Sequence, residues 1–472
     1  MKKIGQGRPQ SAAEMGSLSE ALVLEALSRH MPPERLAEAL VGTQRGRTRK
    51  RKLPAPAVLW LVIALGLWGD LDVPAVWRQV AGTLQTLCQV QAGRRPPGKS
   101  ALCRARQRVG PRPLRRLLRC TAGPLATRQT PGAFYQGLRL MLLDGQKLLV
   151  PDTPANVAAF GKPSTRRYGE EVLGGYPQIT TLRLVEAGTH VTVEAVLKPA
   201  NAAEYPLAEA LLQKAAPGDL VLWDRGYYGY SLLHAARTQG KHVLGRVPAQ
   251  VIFERVRTFS DGSYLADIYP STQDKRHRRH ALRVRVLEYT FDDPDRSGHG
   301  ERHRLVTTLL DARRYPALEL ITLYHQRWEI EIANDEIVTH LLARPVELRS
   351  RTPCGVVQEF YGLVLAHNAV RALMCEAAAR VNIDPRQLSF LHAVRVIRET
   401  VPLLRAAATP QLPRLYSAML DHLACGRLPP RDGRINPRVV KIKMSNFPKK
   451  RPEHCRPRQP RGTFQQSVVM LK

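Results

Sequence analysis

The chain has 472 residues, with 72 Lys and Arg against 40 Asp and Glu, and a formal net charge of +32 at pH 7. Its length predicts roughly three structural units, and its 44% of hydrophobic residues exclude a wholly disordered chain and a small disulfide-stapled scaffold. The excess of positive charge calls for a polyanionic partner, with nucleic acid as the first candidate and an anionic membrane as the rival.

The first 125 residues have the apolar spacing of helices. Residues 18–40 predict two short helices broken at Pro32 and Pro33. The basic run that follows, residues 45–52, is either a solvated linker or an arm that contacts phosphates. The apolar stretch 57–68 is too short for a bilayer span of about 20 residues, so it predicts a buried helix. Further helices are expected at 72–90 and 99–119, the last pair rich in basic residues.

The amino-terminal residues and the cysteines give no sign of a membrane protein or of an oxidising compartment. The amino-terminal residues lack the apolar stretch of a secretory signal peptide. The seven cysteines are scattered, with no CxxC pair and no zinc-finger spacing. We therefore expect a cytoplasmic protein with no membrane partner and no structural disulfides.

From about residue 133 the pattern changes to short runs rich in Val, Leu, Ile and Tyr. These runs predict four strands, at 135–145, 176–188, 190–199 and 219–229. A helical pattern at 203–216 precedes the fourth. The order predicts a mixed sheet in an α/β layer fold. Residues 246–317 alternate with period two around Asp- and Gly-rich turns, which predicts an antiparallel insertion, and helical pattern returns from Ala317 to about residue 424.

The last 47 residues form a basic tail. They carry 13 Lys and Arg against Asp432 and Glu453, and seven prolines interrupt them from Pro429 to Pro460. With so little apolar periodicity, the tail is expected to be extended or disordered when free.

Two carboxylates follow apolar strands directly. Asp144 closes LRLMLLD and Asp224 closes DLVLWD. Each alone is more often part of a turn than of an active site. Together they could share a metal ion, because neighbouring strand ends bring their side chains close. Asp152 is the weaker candidate, since the Thr-Pro after it indicates a turn or a helix cap.

A third group of candidates lies in YHQRWEIEIANDEI, residues 324–337. On a continuous helix, one face would carry an aromatic, cationic and acidic stripe, whereas Glu329 and Glu336 would point elsewhere; the stripe is Tyr324, Arg327, Trp328, Glu331 and Asp335. The plainer interpretation is an exposed helix with Arg327 and Glu331 as an ion pair. Trp223 and Trp328 flank the site positions, and interior packing is the expected role of each.

These residues match a known pattern. The segments 143–156, 220–229 and 323–337 resemble bacterial insertion-sequence transposases of the DDE type, in the insertion element four group with its tyrosine, arginine and glutamate signature. Tyr324, Arg327 and Glu331 match that signature in spacing, whereas Val338 stands where the signature has a lysine. Parts of the helical N-terminal region and of the basic C-terminal segment also look like the family.

The resemblance implies a ribonuclease H-like α/β core and a domain order. The implied domains are N-terminal helices and basic arm (1–52), a helical DNA-end-binding domain (53–128), the catalytic core (129–245 and 318–425), a β-rich insertion (246–317) and the basic tail (426–472).

The resemblance also implies an activity and a site. The implied enzyme binds terminal inverted repeats and performs cut-and-paste transposition by phosphodiester cleavage and strand transfer. Its catalytic metal ligands would be Asp144, Asp224 and Glu331, with two Mg²⁺ or Mn²⁺ ions and with Asp335 as the substitute for Glu331. The DNA contacts that the resemblance implies come from Tyr324 and Arg327. From the sequence alone, Arg225 is a further candidate for a phosphate contact, with a salt bridge to a surface acid as the alternative, and Trp328 is a further candidate for a DNA contact.

The implied partners are double-stranded DNA, as transposon ends and as target, and a second copy in a synaptic homodimer, in a bacterial, nucleoid-associated setting. Two alternatives stay open. One is a metal-dependent nuclease or resolvase that does not join strands, and the other is an inactive copy that only binds DNA ends. Val338 keeps the second alternative open, unless Arg344 or the tail supplies the phosphate contact of the missing lysine.

Overall fold

The computed structural model describes residues 33–41, 53–88, 90, 96–167, 170–296, 298–343, 348–429 and 460–471. They belong to two compact units. The helical unit comprises Met1–Phe134, Gly145–Leu207 and Glu329–Leu428, and the sheet unit comprises Tyr135–Asp144, Ala208–Trp328 and Pro429–Lys472. The predicted helix before Pro32, the basic arm, Arg344 and most of the basic tail lie outside the described residues.

An apolar helix lies at the centre of the helical unit. Ala55–Leu67 has eleven buried residues, as expected of a helix that is hydrophobic on every side. It packs so closely on the long helix Pro353–Arg380 that a Cβ on Gly66 would lie only 2.8 Å from the carbonyl oxygen of Gly362. The predicted buried helix is thereby confirmed. In the described part of the chain, no helix has the length and apolar character needed to span a bilayer.

Further helices and two hairpins complete the helical unit. The early helices agree with the predicted pattern wherever the residues are described. The helices are Pro33–Leu40, Val73–Cys88, Lys99–Val109, Arg112–Thr121, Pro154–Phe160, Trp328–Asp335, Phe390–Ala406 and Leu412–Cys425, with a π-helical turn at Glu336–Leu341. The hairpins are Ser164–Arg167 with Glu170–Leu173, and Gln178–Glu186 with Thr192–Pro199.

The sheet unit contains a mixed sheet. Its parallel part consists of residues 138–144 of the strand Leu138–Leu149, then Asp219–Trp223 and His242–Arg246. The strands His303–Thr307, Leu282–Phe291, Tyr264–Ile268 and Arg255–Thr258 continue the sheet antiparallel. Its helices are Tyr230–Thr238, Thr272–His277 and Ala317–His325, and the helix Glu204–Leu212 precedes the second parallel strand.

The α/β class with a mixed sheet and a β-rich insertion is confirmed. The proposed domain limits stay a prediction. The tail was expected to be extended or disordered when free, and for residues 460–471 the disordered alternative was wrong, because Val468–Met470 adds a strand antiparallel to Leu282–Phe291. Apolar contacts hold this segment in place, since the Phe464 ring lies 5.4 Å from Phe291 and 4.4 Å from His325.

Candidate active site

Asp144 and Asp224 occupy adjacent positions on two parallel strands of the sheet unit. The ladder between these strands ends with Leu143 opposite Trp223, so the next residue on each strand is one of the two aspartates. Parallel strands lie about 4.8 Å apart. The buried residues Leu143 and Trp223 anchor both positions, while the two aspartates are partly exposed. Backbone pairing alone therefore brings these carboxylates together.

The two strands differ beyond this point. Asp224 caps the turn Arg225–Tyr227, with its Oδ1 accepting a hydrogen bond of 2.7 Å from the backbone N–H of Arg225. The prediction that Asp144 also closes its strand was wrong, since that strand continues to Leu149. The Asp-Gly pair indicated a turn, but residues 145–149 stay extended, and Thr181 Oγ1 donates to the Gln146 carbonyl there.

Tyr324 holds the end of the strand that precedes Asp224. Its hydroxyl donates a hydrogen bond of 3.1 Å to the Trp223 carbonyl oxygen. Burial raises the pKa of Tyr324, and Asp224 raises it further, although Arg327 opposes the shift. The hydroxyl therefore stays protonated at neutral pH and remains a donor.

The signature segment is not one continuous helix, so the expectation of a single five-residue face was wrong. The helix that carries Tyr324 ends at His325. The backbone N–H of Arg327 then donates to the Tyr324 carbonyl in a tight turn, and the helix Trp328–Asp335 begins after it. Two successive i to i+3 hydrogen bonds tighten the backbone there. Tyr324 and Glu331 consequently lie on different helices.

The cationic and aromatic candidates of the sheet unit are accessible. Arg225 is exposed, and the Arg327 guanidinium lies 5.7 Å from the centre of the Trp328 ring. The expected packing of Trp223 is confirmed, because it is fully buried against Gly245. The same expectation for Trp328 was wrong: this residue is 53% exposed, since the turn at residues 326–327 interrupts the helix and places Trp328 at the start of the next one.

Glu331 and the alternative Asp335 belong to the helical unit, on Trp328–Asp335. Glu331 is partly exposed. Asp335 is exposed and already accepts a hydrogen bond of 2.6 Å from Thr339 Oγ1. Asp152, the weaker alternative to Asp144, pairs with Lys162 at 2.8 Å.

Val338 faces the core rather than solvent. It lies in the π-helical turn Glu336–Leu341 and packs against the apolar core of the helical unit. Such turns often occur at functional sites. A valine suits this environment, and a lysine at this position would have to thread its stem past apolar neighbours.

The donor set fits a hard divalent cation. Asp144, Asp224 and Glu331 offer carboxylate oxygens, the ligands that Mg²⁺ and Mn²⁺ prefer. Asp144 and Asp224 are adjacent by register within one unit. Within the ranges that the structure describes, no group of three or more His, Cys, Asp or Glu side chains is arranged to hold a metal ion. Of the three predicted ligands, Asp144 and Asp224 are the two that the strand register makes neighbours.

Sequence reasoning missed a group of buried charged residues around the helix that carries Glu331. Glu329 and Glu336 do point elsewhere, as expected, but they bond residues far along the chain: His190, His367 and Arg371. No local signal could have found these partners, because 139 residues separate His190 from Glu329.

Two models of known families match the chain in order. The insertion element 4 transposase N-terminal model matches residues 22–119, and the transposase DDE domain model matches residues 135–369. The DDE domain match contains Asp144, Asp224 and the whole signature segment.

Individual proteins agree with these matches. The transposase InsG for insertion sequence element IS4 of Escherichia coli (strain K12) is 30% identical over 432 residues, which covers 90% of this chain and 93% of that protein. A second protein of that strain, InsZ, is 26% identical over 264 residues, or 55% of this chain and 82% of its own length.

Among solved structures, a cryo-EM structure of the piggyBac transposase synaptic complex with hairpin DNA is 11% identical, with a TM-score of 0.39 and 85% of each chain covered. The family assignment comes from the sequence matches. The two family models and the 30% identity over nearly the full length show that this chain belongs to the insertion element 4 family of DDE transposases, enzymes that cleave DNA and transfer its strands.

Proposed function

We propose that Asp144, Asp224 and Glu331 together hold two Mg²⁺ or Mn²⁺ ions during cut-and-paste transposition of an insertion sequence. The family implies dependence on a divalent metal ion in general. The observation that carries the residue assignment is the register of the two parallel strands, which makes Asp144 and Asp224 neighbours. Glu331 is added on the spacing of the family signature.

When bound, such ions make a coordinated water more acidic and stabilise the charge that develops at phosphorus. The chain's own residues provide the frame. The turn after Asp224 fixes that carboxylate through its bond to the Arg225 N–H, and Tyr324 holds the preceding carbonyl. Tyr324 thus supports the ligand strand, in addition to any contact with DNA.

The accessible cations of the sheet unit suit DNA phosphates. Arg225 and Arg327 would bind phosphate oxygens through their planar donor groups. The exposed Trp328 ring would stack on a base that leaves the duplex. Tyr324 is mostly enclosed, so its part in such stacking would be limited to the ring edge.

Recognition of the transposon ends is proposed for the helices Lys99–Val109 and Arg112–Thr121. Their basic residues divide into two groups. Arg106 is buried and bonds Gln358 and Ser350, so it serves the fold. The other group is exposed, and its members proposed to face DNA are Arg104, Arg108, Arg112 and Arg115. Holding two ends at once would require a homodimer.

The test is cleavage and joining of labelled DNA that carries the element's own terminal repeat, with Mg²⁺ or Mn²⁺. The variants are Asp144→Ala, Asp224→Ala and Glu331→Ala, compared with Asp152→Ala as the matched control, since Asp152 is a nearby carboxylate paired with Lys162. The three site variants should bind the end DNA and lose both reactions, whereas the control should react normally.

Other outcomes select the alternatives. Cleavage by the unmodified protein without joining would favour a nuclease. Binding without any reaction would favour an inactive end-binding copy, and Val338→Lys would then test the missing lysine. If Glu331→Ala reacts normally and Asp335→Ala does not, the third ligand is Asp335.

A further inference from the structure

A buried chain of hydrogen bonds grips one side of the helix that carries Glu331. Glu336 is the first residue of the π-helical turn that continues this helix, and it comes seven residues after Glu329, so the two lie close to one face. Glu331 comes two residues after Glu329, roughly 200° around the axis. The side of the helix that is gripped is therefore the side opposite Glu331.

The chain of hydrogen bonds is continuous from one glutamate to the other. His190 Nε2 lies 2.8 Å from Glu329 Oε2, and Arg371 Nη2 lies 2.5 Å from His190 Nδ1. Arg371 also donates from Nε to Glu336 Oε2 at 2.9 Å and from Nη2 to Glu336 Oε1. Because a guanidinium can only donate, His190 Nδ1 accepts and Nε2 carries the proton given to Glu329. We call Glu329, His190, Arg371 and Glu336 the helix clamp.

Three of the four residues of the helix clamp are shielded from water, whereas Glu329 is partly exposed. His190 is 0% exposed, Arg371 1% and Glu336 3%. Burial alone would raise the pKa of Glu336, but Arg371 and the hydrogen bond from His367 hold it well below the usual range. The Arg371–Glu336 contact is therefore a charged, two-pronged pair in the interior, where geometry is restricted more than at a surface.

The backbone conformation at His190 limits the residues that fit there. Its φ is +62°, in the left-handed region that Gly and Asn adopt most easily. Histidine, like Asn and Asp, is one of the residues other than glycine that enter this region most readily. His190 is therefore compatible with this backbone, and so is Asn at the same position.

We infer that His190, Arg371 and Glu336 are positioning residues for the transposition reaction, which fix the rotation of the Trp328–Asp335 helix and hence the direction of the Glu331 carboxylate. This inference rests on the proposed role of Glu331 as a metal ligand. Residues that orient a metal ligand from behind commonly change metal affinity or activity by about 10- to 100-fold when replaced.

The experiment titrates Mn²⁺ into the full-length protein bound to end DNA and follows free Mn²⁺ by electron paramagnetic resonance. His190→Asn suits the left-handed backbone but is too short to bridge Arg371 and Glu329, whereas His190→Gln has the reach to accept and donate. We expect Mn²⁺ affinity to fall about 10-fold or more in His190→Asn and to recover in His190→Gln. If His190 only stabilised the fold, the Mn²⁺ affinity of the two variants would fall in proportion to their loss of thermal stability.

A second variant removes the charges together. Glu336→Leu with Arg371→Met leaves no unpaired buried charge, so it should fold. Its matched control is Glu359→Leu with Arg349→Met, which removes another buried pair of the helical unit that bonds no residue of the Glu331 helix among its described contacts. The first double variant should bind Mn²⁺ about 10- to 100-fold more weakly, and the control should bind it normally.

Glu331→Ala separates this inference from the proposed function. Normal Mn²⁺ affinity and cleavage in Glu331→Ala would reject the ligand assignment itself. Loss of both in Glu331→Ala, together with unchanged affinity in His190→Asn and in the first double variant, would overturn the positioning role alone.

Discussion

The strand pair that carries Asp144 and Asp224 and the helix that carries Glu331 are built by different means. On the strands, backbone pairing and buried apolar side chains fix both aspartates, and the ladder ends at Leu143 and Trp223. On the helix, a buried network of charged side chains fixes the orientation. The strand pair tolerates a change of side-chain type as long as the buried volume stays the same. A charged network, in contrast, depends on every one of its members.

The largest expected effect breaks the charged network. Arg371→Met alone leaves Glu336 ionised and buried without its main partner, and we expect it to lower the free energy of unfolding by about 3–5 kcal/mol. Urea denaturation measures this loss. Adding Glu336→Leu should recover most of it, since the unpaired charge is then gone. Equal stability of the single and double variants would contradict the account.

The second effect disturbs the strand pair by adding a methyl group where there is no room for it. A Cβ on Gly245 would lie 1.9 Å from Trp223 Nε1, so Gly245→Ala must displace the tryptophan that precedes Asp224. We expect a loss of about 2–3 kcal/mol in the free energy of unfolding. Gly226→Ala is the matched control, because its Cβ would meet nothing within 4 Å. Similar losses in both variants would show that the glycine backbone, and not the tryptophan, matters.

The same difference explains what the sequence could predict. Apolar runs followed by Asp144 and Asp224 indicated two buried strands, because period and residue type determine a strand locally. Glu331 entered only through resemblance. Helical periodicity could not reveal the break at Gln326, and the partners of Glu329 and Glu336 are far away in sequence, with 181 residues between His190 and Arg371. Side-chain networks of that kind leave no local pattern.

Acid should lower the stability of the helical unit through His367, which bonds Glu336 in its interior. Burial lowers the pKa of His367 from 6.5 to about 4, with Glu336 opposing the shift only in part. The unfolded chain therefore takes up a proton between those values and the folded one does not, so stability falls as the pH falls. From pH 7 to pH 5 this histidine should remove about 2 kcal/mol from the free energy of unfolding.

Urea denaturation at pH 7 and pH 5 measures that change, with His367→Gln as the control. The variant should lose about 2 kcal/mol less than the unmodified protein over this interval. If both lose the same amount, His367 is not the group that takes up the proton.

The smallest effect concerns the single side-chain bond that supports the strand pair. Tyr324→Phe removes the hydroxyl that donates to the Trp223 carbonyl and keeps the ring. We expect a loss of about 0.5–1.5 kcal/mol in the free energy of unfolding. Tyr361→Phe is the matched control, since its hydroxyl bonds the Ala195 carbonyl at 3.3 Å inside the helical unit. The two variants should lose similar stability, but only Tyr324→Phe should slow DNA cleavage, because only its bond holds the residue before Asp224. Equal cleavage rates would mean that strand pairing and the buried Trp223 hold Asp224 in place without the Tyr324 hydroxyl.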